Sequence, residues 1–166
     1  MKVVLDTNVA LDWLLFDHVS VHALRDRIRD SRITVVTYPG AAAELRRVLG
    51  YPQFEVDEVR QAELIARYHE QTHPVPDEER ARIERMELPK GFPQCRDPDD
   101  NHFLALTWHA KAEALVTKDK RVLKCRRRAL AFGFTILTVA QLVAAAEHDE
   151  ASNGSTGLSG SHPIPR

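Results

Sequence analysis

Hydrophobic positions along the chain alternate between two rhythms. KVVL, Lys2 to Leu5, is a short β-branched run that stops at Asp6. Thr7 and Asn8 then lead into Val9, Leu11, Leu14 and Leu15 at helical spacing, so a strand, a polar cap and a helix are predicted in that order. Val21, Leu24 and Ile28 keep the helical period before RITVVT, Arg32 to Thr37, a second buried strand. Pro39 and Gly40 introduce the helix AAAELRRVL. A longer amphipathic helix fits from Val56 to about Gln71 and is stopped by Pro74 and Pro76. The stretch PDEERARIERMELPKGFPQC is charged and carries prolines, and reads as a partly irregular insertion or loop. DPDD opens the next helix, EALVT (Glu113 to Thr117) is a third strand, and FTILT (Phe134 to Thr138) a fourth. VAQLVAAAE closes the pattern as a helix.

Strands that are nearly continuous apolar runs, alternating with helices, argue for an α/β domain whose mostly parallel sheet is covered on both faces. With 166 residues and 43% hydrophobic content the chain can bury one core. That domain is expected over residues 1–148. The segment 149–166, containing SNGSTGLSGSHPIPR, is rich in Ser, Gly and Pro and is expected to be a disordered polar tail.

Charge narrows the partners only locally, because the formal net charge is −1 and the isoelectric point is near 6.7. Basic residues nevertheless concentrate at Lys118, Lys120, Arg121, Lys124, Arg126, Arg127 and Arg128, with Asp119 the single acid among them. Such a run suits contact with a phosphate backbone, or else is simply a solvated face. Cys95 and Cys125 have no paired-motif spacing, and no N-terminal segment joins basic residues to an apolar run. A reduced, cytoplasmic protein is therefore expected. The apolar runs fall far short of the roughly 20 residues that span a bilayer, so no membrane is expected as a partner.

RDPDDNHFLALT, Arg96 to Thr107, places Asp97, Asp99 and Asp100 just before a helix that must pack. One cap needs only one acid. In a parallel α/β sheet, functional groups gather at the carboxyl ends of the strands. Asp6 follows the first strand, Glu44 lies on the edge of the apolar stripe of the helix after the second, Asp100 opens the helix before the third, and Asp119 sits just past the third. Each has an ordinary alternative: Asp6 and Asp100 as helix caps, Glu44 as the partner of Arg47, Asp119 as a turn residue. Together they would repel and resist ionisation unless a cation sat among them, and oxygen ligands suit Mg²⁺ or Mn²⁺.

VVLDTNV, AAELRRVLGYPQF, CRDPDDNHFLAL and ALVTKDKRVL, in this order over residues 2 to about 140, resemble the PIN-domain nucleases. The resemblance is closest to the branch of toxin components of toxin–antitoxin pairs. It implies a three-layer α/β/α sandwich, Mg²⁺ or Mn²⁺, and an endoribonuclease that cleaves RNA phosphodiesters with metal-activated water. Asp6, Glu44, Asp100 and Asp119 match the family's acids, and Thr7, Asn8 and Thr117 match polar positions that support the site. A cognate antitoxin is implied as partner, and a homodimer is left open. Relatives often carry a further acid two positions after the late one, where this chain has Arg121, and Asp97 and Asp99 are candidates to compensate. A non-catalytic RNA- or partner-binding domain of the same fold is the alternative.

Other motifs fit less well. HEQTH, His69 to His73, matches the HExxH pattern of zinc peptidases, but Pro74 follows at once and no third ligand is evident. A haloacid-dehalogenase-like phosphotransferase wants an acid at position 8, where Asn8 stands, and a lysine before its paired acids, whereas Lys118 follows DPDD. A receiver-like domain lacks its early acid pair. Met86, Trp13, Trp108 and the phenylalanines read as core.

Overall fold

The computed structural model describes the backbone of residues 1 to 154 and the side chains of residues 1 to 147. β1 (Lys2–Leu5) leads into α1 (Thr7–Leu14) and α2 (His22–Arg29). β2 (Thr34–Thr37) is followed by α3 (Pro39–Leu49) and α4 (Glu58–Gln71), then β3 (His73–Pro74) and α5 (Asp77–Glu84). α6 (Asn101–His109) precedes β4 (Ala114–Val116), and the short helices α7 (Lys120–Leu123) and α8 (Arg126–Leu130) precede β5 (Thr135–Leu137). α9 (Val139–Gly154) closes the order. The polar tail expected from residue 149 lies, from 155 on, outside the described residues, and α9 carries on through Gly154.

All five strands are parallel, in the order β3-β2-β1-β4-β5. The expected sheet had four strands. The fifth is β3, two residues held to β2 by the pairs Val36 with His73 and Thr37 with Pro74. Period-2 alternation divides the core. Val3 and Leu5 of β1, Val35 of β2 and Ala114 and Val116 of β4 face α1, α3 and α4. Val4, Val36, Leu115 and Ile136 face α6 and its neighbours. Helices therefore cover both faces of the sheet, which is the expected α/β/α sandwich.

The charged segment read as an insertion or loop needs correction. Residues 77–84 form α5, which packs against α6 through the buried Ile83, and Phe92 and Cys95 beyond it enter the same core. A single buried position in eight leaves α5 without a helical stripe to read, so its conformation is fixed by what it docks on. No helix among the described residues is long and apolar enough to cross a membrane.

The chain builds outward from β1 to β2 and β3, then returns to the other side of β1 with β4. This reversal opens a crevice at the carboxyl ends of β1 and β4, where Asp6 and Thr117 stand. Leu115, 0% exposed on β4 beside the central strand β1, anchors the layer beneath it. Leu115→Ala is expected to lower the unfolding free energy by about 3 kcal/mol in urea titrations, with the denaturant slope unchanged.

Candidate active site

Asp6 is the N-cap of α1, its Oδ1 accepting from the Val9 amide at 2.8 Å, and its Oδ2 accepts a hydrogen bond from the Thr117 hydroxyl. The capping alternative and the site role thus coexist on one carboxylate. The Thr117 hydroxyl in turn accepts from the Asp119 amide at 3.0 Å, so the ends of β1 and β4 and the start of α7 are tied through one fully buried side chain. Asp119 caps α7 by accepting from the Arg121 amide at 2.6 Å.

Glu44 makes no direct bond to Arg47, which donates to the Tyr51 hydroxyl, although the Arg47 charge still helps to hold the carboxyl down. Its Oε1 accepts from the Thr7 hydroxyl at 2.6 Å and its Oε2 from His102 Nε2 at 2.7 Å. Asp100 stands in the 3-10 turn Pro98–Asp100, just ahead of α6, and its side chain makes no capping bond. The turn is capped instead by Asp97, which accepts from the Asp99 amide at 3.3 Å. Asp100 is left with one weak donor, the Cys95 thiol at 3.6 Å.

Electrostatics join the acids. Burial pushes the Asp6 carboxyl up to about 6, against the bonds from Thr117 and Val9, and the Asp100 charge raises it further. Asp100 is itself raised, first by burial and then by Asp119, Asp97 and Glu44. Burial acts upward on Glu44 too, but the bonds from His102 and Thr7 outweigh it and hold that carboxyl below its usual range. Asp100 therefore feels Asp119, Asp97 and Glu44, and its own charge acts in turn on Asp6.

Among the described residues, no three His, Cys, Asp or Glu side chains are grouped to hold a metal ion. The donor set is nevertheless compatible with a hard divalent cation. It is all oxygen, Asp6 and Asp100 within it resist ionisation for want of positive charge, and Mg²⁺ keeps several waters and needs only one or two carboxylates besides a substrate phosphate.

Asn8 and Asp99 are exposed, and Asp99 bonds only through its backbone to Asp97. Arg121 occupies the place of the missing second acid as a bridge, with Nη1 at 3.0 Å from Asp97 and Nε at 3.6 Å from Asp119. The basic run does not form a single face. Arg121, Lys124 and Arg128 share one cavity, Lys118 donates to Asp12 at 2.6 Å, and Arg126 is committed to the Ile136 carbonyl and Gln141. Lys120 and Arg127 are exposed. The residues of HEQTH part company, His69 lying in the last turn of α4 and His73 in β3. His102, Cys95 and Asp12 were not legible as site neighbours. His102 meets Glu44 across 58 residues, and no local spacing announces that contact.

A carboxyl held above its ordinary 3.8 favours the protonated form in the fold, so Asp6 stabilises fully only below that pH, and its contribution is lost as pH rises through about 6. Asn at position 6 can still accept from the Val9 amide, with its own amide donating to the Thr117 hydroxyl in place of accepting from it, and carries no charge. Metal-free Asp6→Asn is expected to gain about 2–3 kcal/mol over wild type at pH 8, shrinking towards nothing by pH 4, measured by chemical denaturation across pH.

A family model described as PIN domain matches residues 2–121, more than half of the chain. No curated protein matches it. The matched span runs from β1 into the start of α7 and contains Asp6, Glu44, Asp100 and Asp119 together with the β1–β4 crevice. The chain belongs to the PIN domain family, a nuclease-type family.

Proposed function

We propose that this protein is a Mg²⁺- or Mn²⁺-dependent endoribonuclease, with Asp6, Glu44, Asp100 and Asp119 holding the cation. The observation that carries the reading is Asp100, a half-buried carboxylate without a cap to make, raised by burial and by three neighbouring acids, Asp119, Asp97 and Glu44. A bound divalent cation supplies water activation and neutralises charge at the scissile phosphate. The chain supplies the positioning. Thr117 fixes Asp6, Thr7 and His102 fix Glu44, and the Thr117–Asp119 contact sets the start of α7. Cys95 is a poor nucleophile here, since burial raises its thiol and Asp100 raises it further. Basic residues beyond β4 would hold the strand's phosphates without reading bases.

A role as the toxin of a toxin–antitoxin pair, acting in the cytoplasm with a cognate antitoxin and as a homodimer, rests on the resemblance of the four stretches quoted above. A specific observation favours a second reading, a non-catalytic RNA- or partner-binding domain: Arg121 already places a positive charge between Asp97 and Asp119.

Purified protein is expected to cleave RNA with Mn²⁺ and to stop with chelator, and Asp6→Asn and Asp100→Asn each to lose at least about 100-fold in rate. Equal rates across all of these would remove the nuclease reading. Saturating Mn²⁺ should raise the melting temperature of wild type by about 5 °C and leave Asp6→Asn unmoved. No Mn²⁺-dependent rise in wild type would instead favour the non-catalytic domain.

A further inference from the structure

The RDPDD turn stands between two openings. One is a cavity of about 650 Å³ that includes Arg96, Arg121, Lys124, Arg128 and Asp97 in its wall. The other, of about 560 Å³, is lined in part by Glu44, Asp99 and His102. Pro98 borders both, so the two form successive stations on either side of the turn that carries Asp100.

The first cavity has an excess of positive charge. Four cations line it against a single carboxylate, Asp97, and that carboxylate is already matched by Arg121. Arg96, Lys124 and Arg128 make no ion pair among the described residues, although carboxylates crowd the neighbouring crevice. Side chains of this length usually lie along the surface to meet acids of their own. Here they surround a concavity with room for a tetrahedral anion and its neighbouring sugar, and guanidinium groups suit phosphate oxygens with paired donors. The cavity presents no aromatic ring on which a base could stack.

We propose that this cavity is a phosphate subsite for the substrate strand, holding a backbone phosphate next to the one cleaved over the acids. The inference rests on the nuclease reading for its substrate class. It adds Arg96, which lies in the acidic turn rather than in the basic run, and it gives Arg121 a second task. Tethered to Asp97 and Asp119, its guanidinium joins the subsite to the acids.

Binding of a fluorescent single-stranded oligoribonucleotide, measured by anisotropy with full-length protein and chelator, tests the subsite without cleavage. Arg96→Gln/Lys124→Gln is expected to weaken binding about tenfold whatever the sequence, and to reduce the slope of log Kd against log salt by about 1. Lys90→Gln/Lys111→Gln removes the same charge from exposed positions outside the cavity and should leave both unchanged. Arg96→Lys/Lys124→Arg should restore binding. Oligonucleotides with a 5′-hydroxyl and a 5′-phosphate are expected to bind equally. Equal losses in the two Gln pairs, or wild-type protein that binds no strand, would overturn the subsite. A preference for the 5′-phosphate that disappears in Arg96→Gln/Lys124→Gln would overturn the backbone assignment in favour of a terminal phosphate. Because binding is measured with chelator, a separate failure to cleave RNA with Mn²⁺ would sink the nuclease reading while leaving this result standing.

Discussion

The Asp6 carboxylate is the constraint on which the crevice depends. It must accept from Val9 for α1 to begin where it does, and from Thr117 for β4 to end beside β1, yet both bonds are made at a position only 4% exposed, where ionisation is disfavoured. Thr7, the next residue, fastens Glu44 of α3. Two consecutive residues at the end of the central strand therefore set the placement of α1, α3 and β4 at once. A chain selected only for stability would do better with a neutral group at position 6, and keeping the acid there marks the site as the place where folding and chemistry disagree.

Arg121 modifies that disagreement. A guanidinium between Asp97 and Asp119 relieves like-charge repulsion on one flank of the cluster, while Asp6 and Asp100 on the other flank receive no comparable guanidinium. The acids are thus graded. Those nearest Arg121 are compensated from within the chain, and those nearest β1 are left in need of positive charge from outside. Lys118, bound to Asp12 of α1, reaches the edge of this second group and lowers Asp6 only slightly.

Much of this was legible in the sequence wherever the signal was local. Four strands announced themselves because each is a short, mostly apolar run with buried residues at its heart, and Asp6, Glu44, Asp100 and Asp119 stood out because strand ends and helix edges are places a sequence can mark. The surplus of acids in RDPDD was informative for the same reason: Asp97 takes the capping role and leaves Asp100 without one. What escaped detection is held by partners far along the chain. β3 is two residues whose only reason to be a strand is β2, α5 has one buried residue and takes its shape from α6, and His102 has no feature apart from Glu44 that distinguishes it from other histidines. The basic run was visible as a run, but its division into a cavity wall, a tie to Asp12 and a brace on β5 required the turns of α7 and α8.

The brevity of β3 has a consequence for how copies of this chain can meet. β2 would otherwise present an open row of amides and carbonyls, an invitation to add strands from a second molecule. Two residues cover it, and the second is Pro74, whose ring nitrogen carries no hydrogen to offer an incoming chain. That margin therefore offers an incoming strand only a short ladder with one donor missing, which disfavours lateral growth into fibrils or shared sheets.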